Sequence, residues 1–128
     1  MLLVTGGLGF IGSSVVQHYL ESGQAVVASG LATDRVPGNL SRHLGKGLTA
    51  TVADMANPYA VFDLCRANRI ESIIHLAGPL IGALSPAEEM RQNTAGLLNI
   101  LEAARLFRMR RVSMASSIAV YFGLPHGP

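Results

Sequence analysis

At 128 residues the chain is sized for one domain, and 49% apolar against 14% charged residues suits a buried parallel sheet and excludes a disordered chain. The net charge is only +2, and the basic residues are scattered apart from Arg108, Arg110 and Arg111 near a helix end, which leaves no nucleic-acid footprint. No apolar run reaches the roughly 18 residues of a membrane helix, and no leader pattern opens the chain. Cys65 stands alone and forms no internal disulfide, so a cytoplasmic protein with no membrane partner is expected.

Short apolar runs alternate with longer amphipathic segments in the manner of stacked βαβ units. Leu2–Val4 reads as a strand that stops at a glycine cluster, and Phe10–Ser22 as a helix closed by Gly23. Ala25–Ala28 is a second strand, and residues 30–47, rich in glycine and containing Pro37, read as loop with room for one short helix. Leu48–Val52 is a third strand ending near Asp54, after which Asn57 caps a helix starting at Pro58. Ile73–Leu76 is a fourth strand. Ser85-Pro86-Ala87-Glu88 has the form of a capping box and opens a long helix to about Phe107. Val112–Ala115 is a fifth strand, followed by a Gly/Pro-rich tail. Five parallel strands with right-handed crossovers give a doubly wound α/β fold.

The first turn carries the chemistry. Gly7-Leu8-Gly9-Phe10-Ile11-Gly12 satisfies G-x-G-x-x-G, and Gly6, Gly9 and Gly12 fit a G-x-x-G-x-x-G spacing. Alone the pattern is weak, but here it follows a strand and opens a helix, the context in which it holds a dinucleotide diphosphate. Glycines allow the tight turn and the close approach of backbone N–H groups, Gly12 lets the helix pack closely on the sheet, and the helix N-terminus adds positive potential. An acidic residue ordinarily ends the second strand and accepts from the adenosine ribose; Gly30 occupies that place. Asp34 could reach the ribose, or Arg35 could pair with a 2′-phosphate, so NAD and NADP both remain open as cofactor.

Several motifs in order then resemble those of the extended short-chain dehydrogenases, the NAD-dependent epimerase/dehydratase group with its Rossmann fold. Thr5-Gly6-Gly7-Leu8-Gly9-Phe10-Ile11-Gly12 resembles the family's TGGxGFIG loop, and Asp54 the aspartate that bonds the adenine amino group, with Met55 beside the ring. His75-Leu76-Ala77-Gly78 resembles the H-x-A-G segment, whose backbone lines the cofactor near its ribose and diphosphate; His75 itself is given no chemistry. Asn93-Thr94-Ala95-Gly96 resembles the N-x-x-G-T motif, with Leu97 in place of the threonine. Ser116-Ser117-Ile118-Ala119-Val120-Tyr121 resembles S-S-x-x-V-Y-G, with Phe122 inserted before Gly123.

The resemblance implies cofactor contacts from Gly6, Gly9, Phe10, Ile11, Gly12, Asp54, Met55, Leu76, Ala77, Gly78, Asn93 and Ser116. It makes Ser117 the catalytic hydroxyl that bonds the reacting substrate oxygen. Arg35 joins the cofactor set through the 2′-phosphate reading. No metal ligands are implied. Relatives transfer a hydride to and from nicotinamide C4 and move the proton through a Tyr-x-x-x-Lys pair one helical turn apart, because a phenol needs a cation beside it to act as a base near neutral pH. Here Lys46 is the one lysine, and Tyr19, Tyr59 and Tyr121 are followed four residues on by Gly23, Asp63 and Pro125.

The chain is therefore expected to be a dinucleotide-binding domain over residues 1–128. It would be truncated before the family's C-terminal region, lack a substrate domain, and form a homodimer or otherwise self-associate through its long helix. Two readings of function stay open. One is the cofactor half of an epimerase or dehydratase acting on a nucleotide sugar or similar hydroxyl/keto substrate; the other is a non-catalytic NAD(P)-binding module or inactive truncated product.

Overall fold

A computed structural model describes residues 1–31, 36–79 and 82–117. Arg35, Asp34 and Tyr121 therefore lie outside the described residues. In chain order the elements are β1 (Leu2–Thr5), α1 (Phe10–Glu21), β2 (Val26–Gly30), α2 (Gly38–Ser41), β3 (Leu48–Val52), α3 (Pro58–Ala67), β4 (Ser72–His75), α4 (Pro86–Leu106) and β5 (Arg111–Met114). Among the described residues the five strands form one sheet in the order β3-β2-β1-β4-β5, all pairs parallel. This is the Rossmann-like doubly wound arrangement, with the strand order reversing between β1 and β4.

Side-chain alternation along the strands sorts the core into two layers. Leu2, Val4, Val26, Ala28 and Leu48 pack under α1 and α2 with Val16, Leu20 and Leu40. Leu3, Val27 and Ile73 face the other way, onto Val61 and Cys65 of α3 and Ile100 and Ala103 of α4. Each buried leucine, isoleucine or valine side chain among them contributes roughly 1.5–3 kcal/mol. Burial alone pushes the Cys65 thiol up to about 11, so it stays a packed, unreactive group.

Local signals set the helix ends. Asn57 accepts from the N–H groups of Tyr59 and Ala60 at 3.0 and 3.4 Å, with Pro58 in the first turn. Gly23, at φ +82°, ends α1, its N–H donating to Leu20 and that of Gln24 to Tyr19. Ser85 caps α4 by accepting from Glu88 N–H at 3.3 Å. The reciprocal half of the expected capping box is replaced, because the Glu88 carboxylate is taken by Arg91 at 2.6 and 3.0 Å and by Gln92 at 3.1 Å. Within the 30–47 stretch one short helix, α2, does form.

The sheet changes character one pleat before its carboxyl end. Val27, Leu3, Ile73 and Val112 share a register row on the α3/α4 side and are apolar. Two residues further along, Ser29, Thr5 and His75 of the three central strands form the next row on that side, extended by Thr51 on β3 and ended by Met114 on β5. That polar row lies where the strand order reverses, the place at which such sheets hold ligands.

Candidate functional site

A cavity of about 360 Å³ opens at the carboxyl ends of β1, β2, β3 and β4, within the range of small-molecule sites. Its rim is built from the residues after each strand. Gly6 and Gly9 follow β1, Gly30 ends β2, Asp54 and Met55 follow β3, and Leu76, Ala77 and Gly78 follow β4; Asn93 of α4 closes one side. The structure thus brings eight of the sequence-predicted residues (Gly6, Gly9, Asp54, Met55, Leu76, Ala77, Gly78, Asn93) around one space.

The glycine turn owes its form to contacts that admit no side chain. Gly6 has φ +66°, and a Cβ there would stand 2.9 Å from the Ala77 backbone nitrogen. A Cβ on Gly12 would stand 2.0 Å from the Gly6 carbonyl oxygen and 2.7 Å from Gly7 Cα. Gly12 therefore closes the loop on itself, whereas the sequence pattern assigned it helix–sheet packing. That second task belongs to Gly7, whose Cβ would meet Ala28 Cβ at 2.9 Å and Val16 at 3.1 Å.

Phe10 and Ile11 do not line the cavity with side chains, which are 95% and 68% exposed. What they offer is backbone. They open α1, whose first N–H groups lack intrahelical partners, and Gly9 at the cap position supplies no side-chain bond.

Asp54 does two things. One carboxylate oxygen accepts Ala56 N–H at 2.9 Å and shapes the turn, while the residue stays exposed on the cavity rim. Met55 is buried, and Asn99 of α4 holds its carbonyl at 2.9 Å. Gly96 lies against it, a Cβ there being 3.4 Å from Met55 Cβ. Sequence reasoning missed Asn99; its place one turn past Gly96 on α4, on the face that meets Met55, is the signal that could have found it. Ser116 and Ser117 follow β5 and are exposed, outside the lining of this cavity.

Ser29 and His75 of the polar row line the cavity, with Thr5 buried between them. Thr5 is fully buried, and its hydroxyl accepts from Ala77 N–H at 3.2 Å and from Leu76 N–H at 3.2 Å, the latter shared with the Thr5 carbonyl at 3.1 Å. The same hydroxyl lies 2.7 Å from His75 Nδ1. Burial holds the His75 imidazole below its ordinary pKa. Ser29 Oγ, on the next strand, is buried with no hydrogen-bond partner among the described residues. Sequence reasoning names Thr5 only as the first residue of the loop motif and gives Ser29 no role, since strand register alone shows what their hydroxyls meet.

A dinucleotide fits these features. The turn is packed too tightly for a Cβ at Gly6, Gly7 or Gly12, the α1 N-terminus is open, and an orphaned hydroxyl lies beside the cavity, which buried polar groups rarely tolerate without a partner. Fold and site together define a dinucleotide-binding Rossmann-type domain.

Comparison with known proteins narrows the class. The model of the NAD dependent epimerase/dehydratase family matches residues 2–127, and the chain belongs to that family. The UDP-glucose 4-epimerase of Bacillus subtilis is 32% identical over 97% of this chain and 38% of that protein. A Klebsiella pneumoniae UDP-glucose 4-epimerase sequence is 30% identical over 99% of this chain and 96% of its own length. Among solved structures, the UDP-glucose 4-epimerase of Thermus thermophilus in complex with NAD superposes with a TM-score of 0.83 at 29% identity, covering 99% of this chain and 41% of that one. The chain thus spans about 38% of the Bacillus relative. No described helix is long and apolar enough to cross a membrane, and no group of three or more metal-ligating side chains occurs among the described residues.

Proposed function

We propose that residues 1–128 are the cofactor-binding domain of an NAD-dependent enzyme that acts on a nucleotide sugar, with the substrate-selecting residues supplied by chain outside these 128. The observation that carries this reading is the convergence of the glycine cradle, the Asp54–Met55 turn and the β4 exit on one cavity at the strand-order reversal. In this reading the diphosphate rests on the turn from Gly6 to Gly12 and receives the Phe10 and Ile11 N–H groups. Adenine lies against Met55 with its amino group at Asp54. Leu76, Ala77 and Gly78 line the far half with backbone, with Asn93 and Ser116 beside it, and Ser117 meets the substrate oxygen.

When bound, the nicotinamide supplies the hydride acceptor and donor. The chain's own part is to bind, orient and exclude water. Gly30 leaves the end of β2 without a carboxylate, which supports acceptance of NADP as well as NAD, with Arg35 as partner of a 2′-phosphate. We also propose a homodimer through the outer faces of α3 and α4, where Tyr59, Met90, Leu98 and Leu101 are exposed, and a cytoplasmic location.

A thermal-shift titration tests the core of this proposal. NAD must raise the melting temperature in a saturable, concentration-dependent way, because a ligand of the folded state stabilises it. The 128 residues contain no Tyr-x-x-x-Lys, so the isolated chain is expected to bind NAD without turning over UDP-glucose. Absence of any shift at millimolar NAD, or robust epimerisation by this chain alone, overturns the reading.

A further inference from the structure

The hydrogen bonds around Thr5 fix the protonation of a histidine. A threonine hydroxyl has one proton to give and two lone pairs to receive. At Thr5 the lone pairs face the N–H groups of Leu76 and Ala77, and the residue is fully buried. If His75 Nδ1 also donated, the hydroxyl would face three N–H groups and its own proton would have no acceptor. Among the described residues no other acceptor meets it, and a buried unpaired O–H is costly. The 2.7 Å contact is therefore Thr5 O–H donating to Nδ1, which leaves the ring neutral with its proton on Nε2.

Among the described residues Nε2 has no partner, and it is not sealed away, since His75 is only partly buried and lines the cavity. His75 is also the register neighbour of Thr5, the residue immediately before Gly6. A lone N–H donor thus lies beside the glycine cradle, on the β4 side and away from Asp54.

We propose that His75, held by Thr5 as the Nε2–H tautomer, is a cofactor-binding residue whose Nε2–H donates to a diphosphate oxygen or adjoining ribose oxygen of the dinucleotide. Thr5 is then a positioning residue, because one hydroxyl ties β1 to β4 and aims the imidazole. The assignment rests on the cofactor reading above, and it deepens that reading by giving a side chain to a stretch otherwise credited with backbone contacts.

Two substitutions separate the two ring nitrogens. Asn in place of His75 puts an amide oxygen near Nδ1, keeping the Thr5 contact without a donor at Nε2. Gln puts an amide N–H near Nε2. Isothermal titration with NAD is expected to show His75→Asn weakened about three- to tenfold, the range of one hydrogen bond, and His75→Gln close to the parent. NMR of the ¹⁵N-labelled ring gives the readout that a merely structural role would not move. The free chain near neutral pH shows Nε2 protonated, NAD shifts the Nε2 signal, Thr5→Ser keeps the tautomer and Thr5→Val releases it. An Nδ1–H tautomer in the free chain, or equal NAD affinity of the Asn variant and the parent, overturns the assignment. If the parent binds no NAD at all, the cofactor reading fails first, which the parent titration shows on its own.

Discussion

Two helix starts in this molecule are built in opposite ways. α4 begins behind Ser85, whose hydroxyl takes Glu88 N–H, and carries Glu88 and Glu89 in its first turn. α1 begins behind Gly9, with no side-chain cap and no acid in its first turn. The α4 start carries its own cap: Ser85 meets Glu88 N–H and carboxylates offset the positive end. The α1 start is left unfinished, pointing bare N–H groups toward the cavity side of the sheet. Stability alone favours Ser or Asp at Gly9, and forgoing them costs roughly a few tenths of a kcal/mol. Leaving the first helix open is the choice that a site for an anion explains.

The largest way to break the contrast is to destroy the open start. Gly12→Ala places a methyl 2.0 Å from the Gly6 carbonyl oxygen and 2.7 Å from Gly7 Cα. Both obstacles are backbone, so no rotamer change relieves them. We expect a loss of about 3 kcal/mol or more in urea unfolding, together with loss of NAD binding. Gly38→Ala is the control, because a Cβ there meets nothing within 4 Å, and it should be close to neutral. Similar unfolding midpoints for the two variants would show that the loop has slack and that its glycines are not required by contact.

A smaller pair of substitutions exchanges the two designs. Gly9→Asp gives α1 the cap and charge that α4 has, with its Cβ 3.2 Å from the Gly6 oxygen, which a small shift accommodates. The expected outcome is an unchanged or higher melting temperature and about tenfold or more weaker NAD binding, because the carboxylate takes the donors and repels the diphosphate. Ser85→Ala opens α4 instead. It should cost about 1 kcal/mol of stability and leave NAD affinity where it was. If both variants affect binding equally, the open start of α1 is not what receives the ligand.

Much of this is legible without coordinates. Asn57-Pro58 and Ser85-Pro86 announce their helices because capping is a local matter, settled within four residues, and the strand cores follow from apolar runs bounded by glycines. The glycine spacing places the ligand turn for the same reason. What escapes is non-local. Thr5 and His75 lie 70 residues apart and meet only because β1 and β4 pair in one register. The division of labour between Gly7 and Gly12 depends on which atoms, side chains among them for one and backbone for the other, a Cβ would meet, and spacing cannot encode that. Ser29 reads as an ordinary strand residue until its neighbours show its hydroxyl to be orphaned. Local chemistry sets the elements and the loop, whereas register sets the floor of the site.

The smallest expected effect sharpens the contrast from behind the open loop, where the Thr5–His75 contact ties β1 to β4. Burial lowers the His75 pKa in the folded chain. In the unfolded chain the ring titrates near its ordinary value of about 6.5. Below that value the unfolded state takes up a proton that the folded state resists, so the unfolded state binds more protons and stability falls as pH falls. The loss begins near the ordinary histidine value and is complete only once pH has dropped through the lowered folded-state value. Protonation also puts a hydrogen on Nδ1 and ends its acceptance of the Thr5 proton, so the link between β1 and β4 weakens in step. His75→Gln carries no titratable group, and its stability should be flatter than the parent's between pH 7 and about 5. Urea unfolding of the two proteins across that interval measures the difference. Parallel curves would mean that His75 titrates alike in the folded and unfolded chain, and that the buried hydroxyl does not hold the ring neutral.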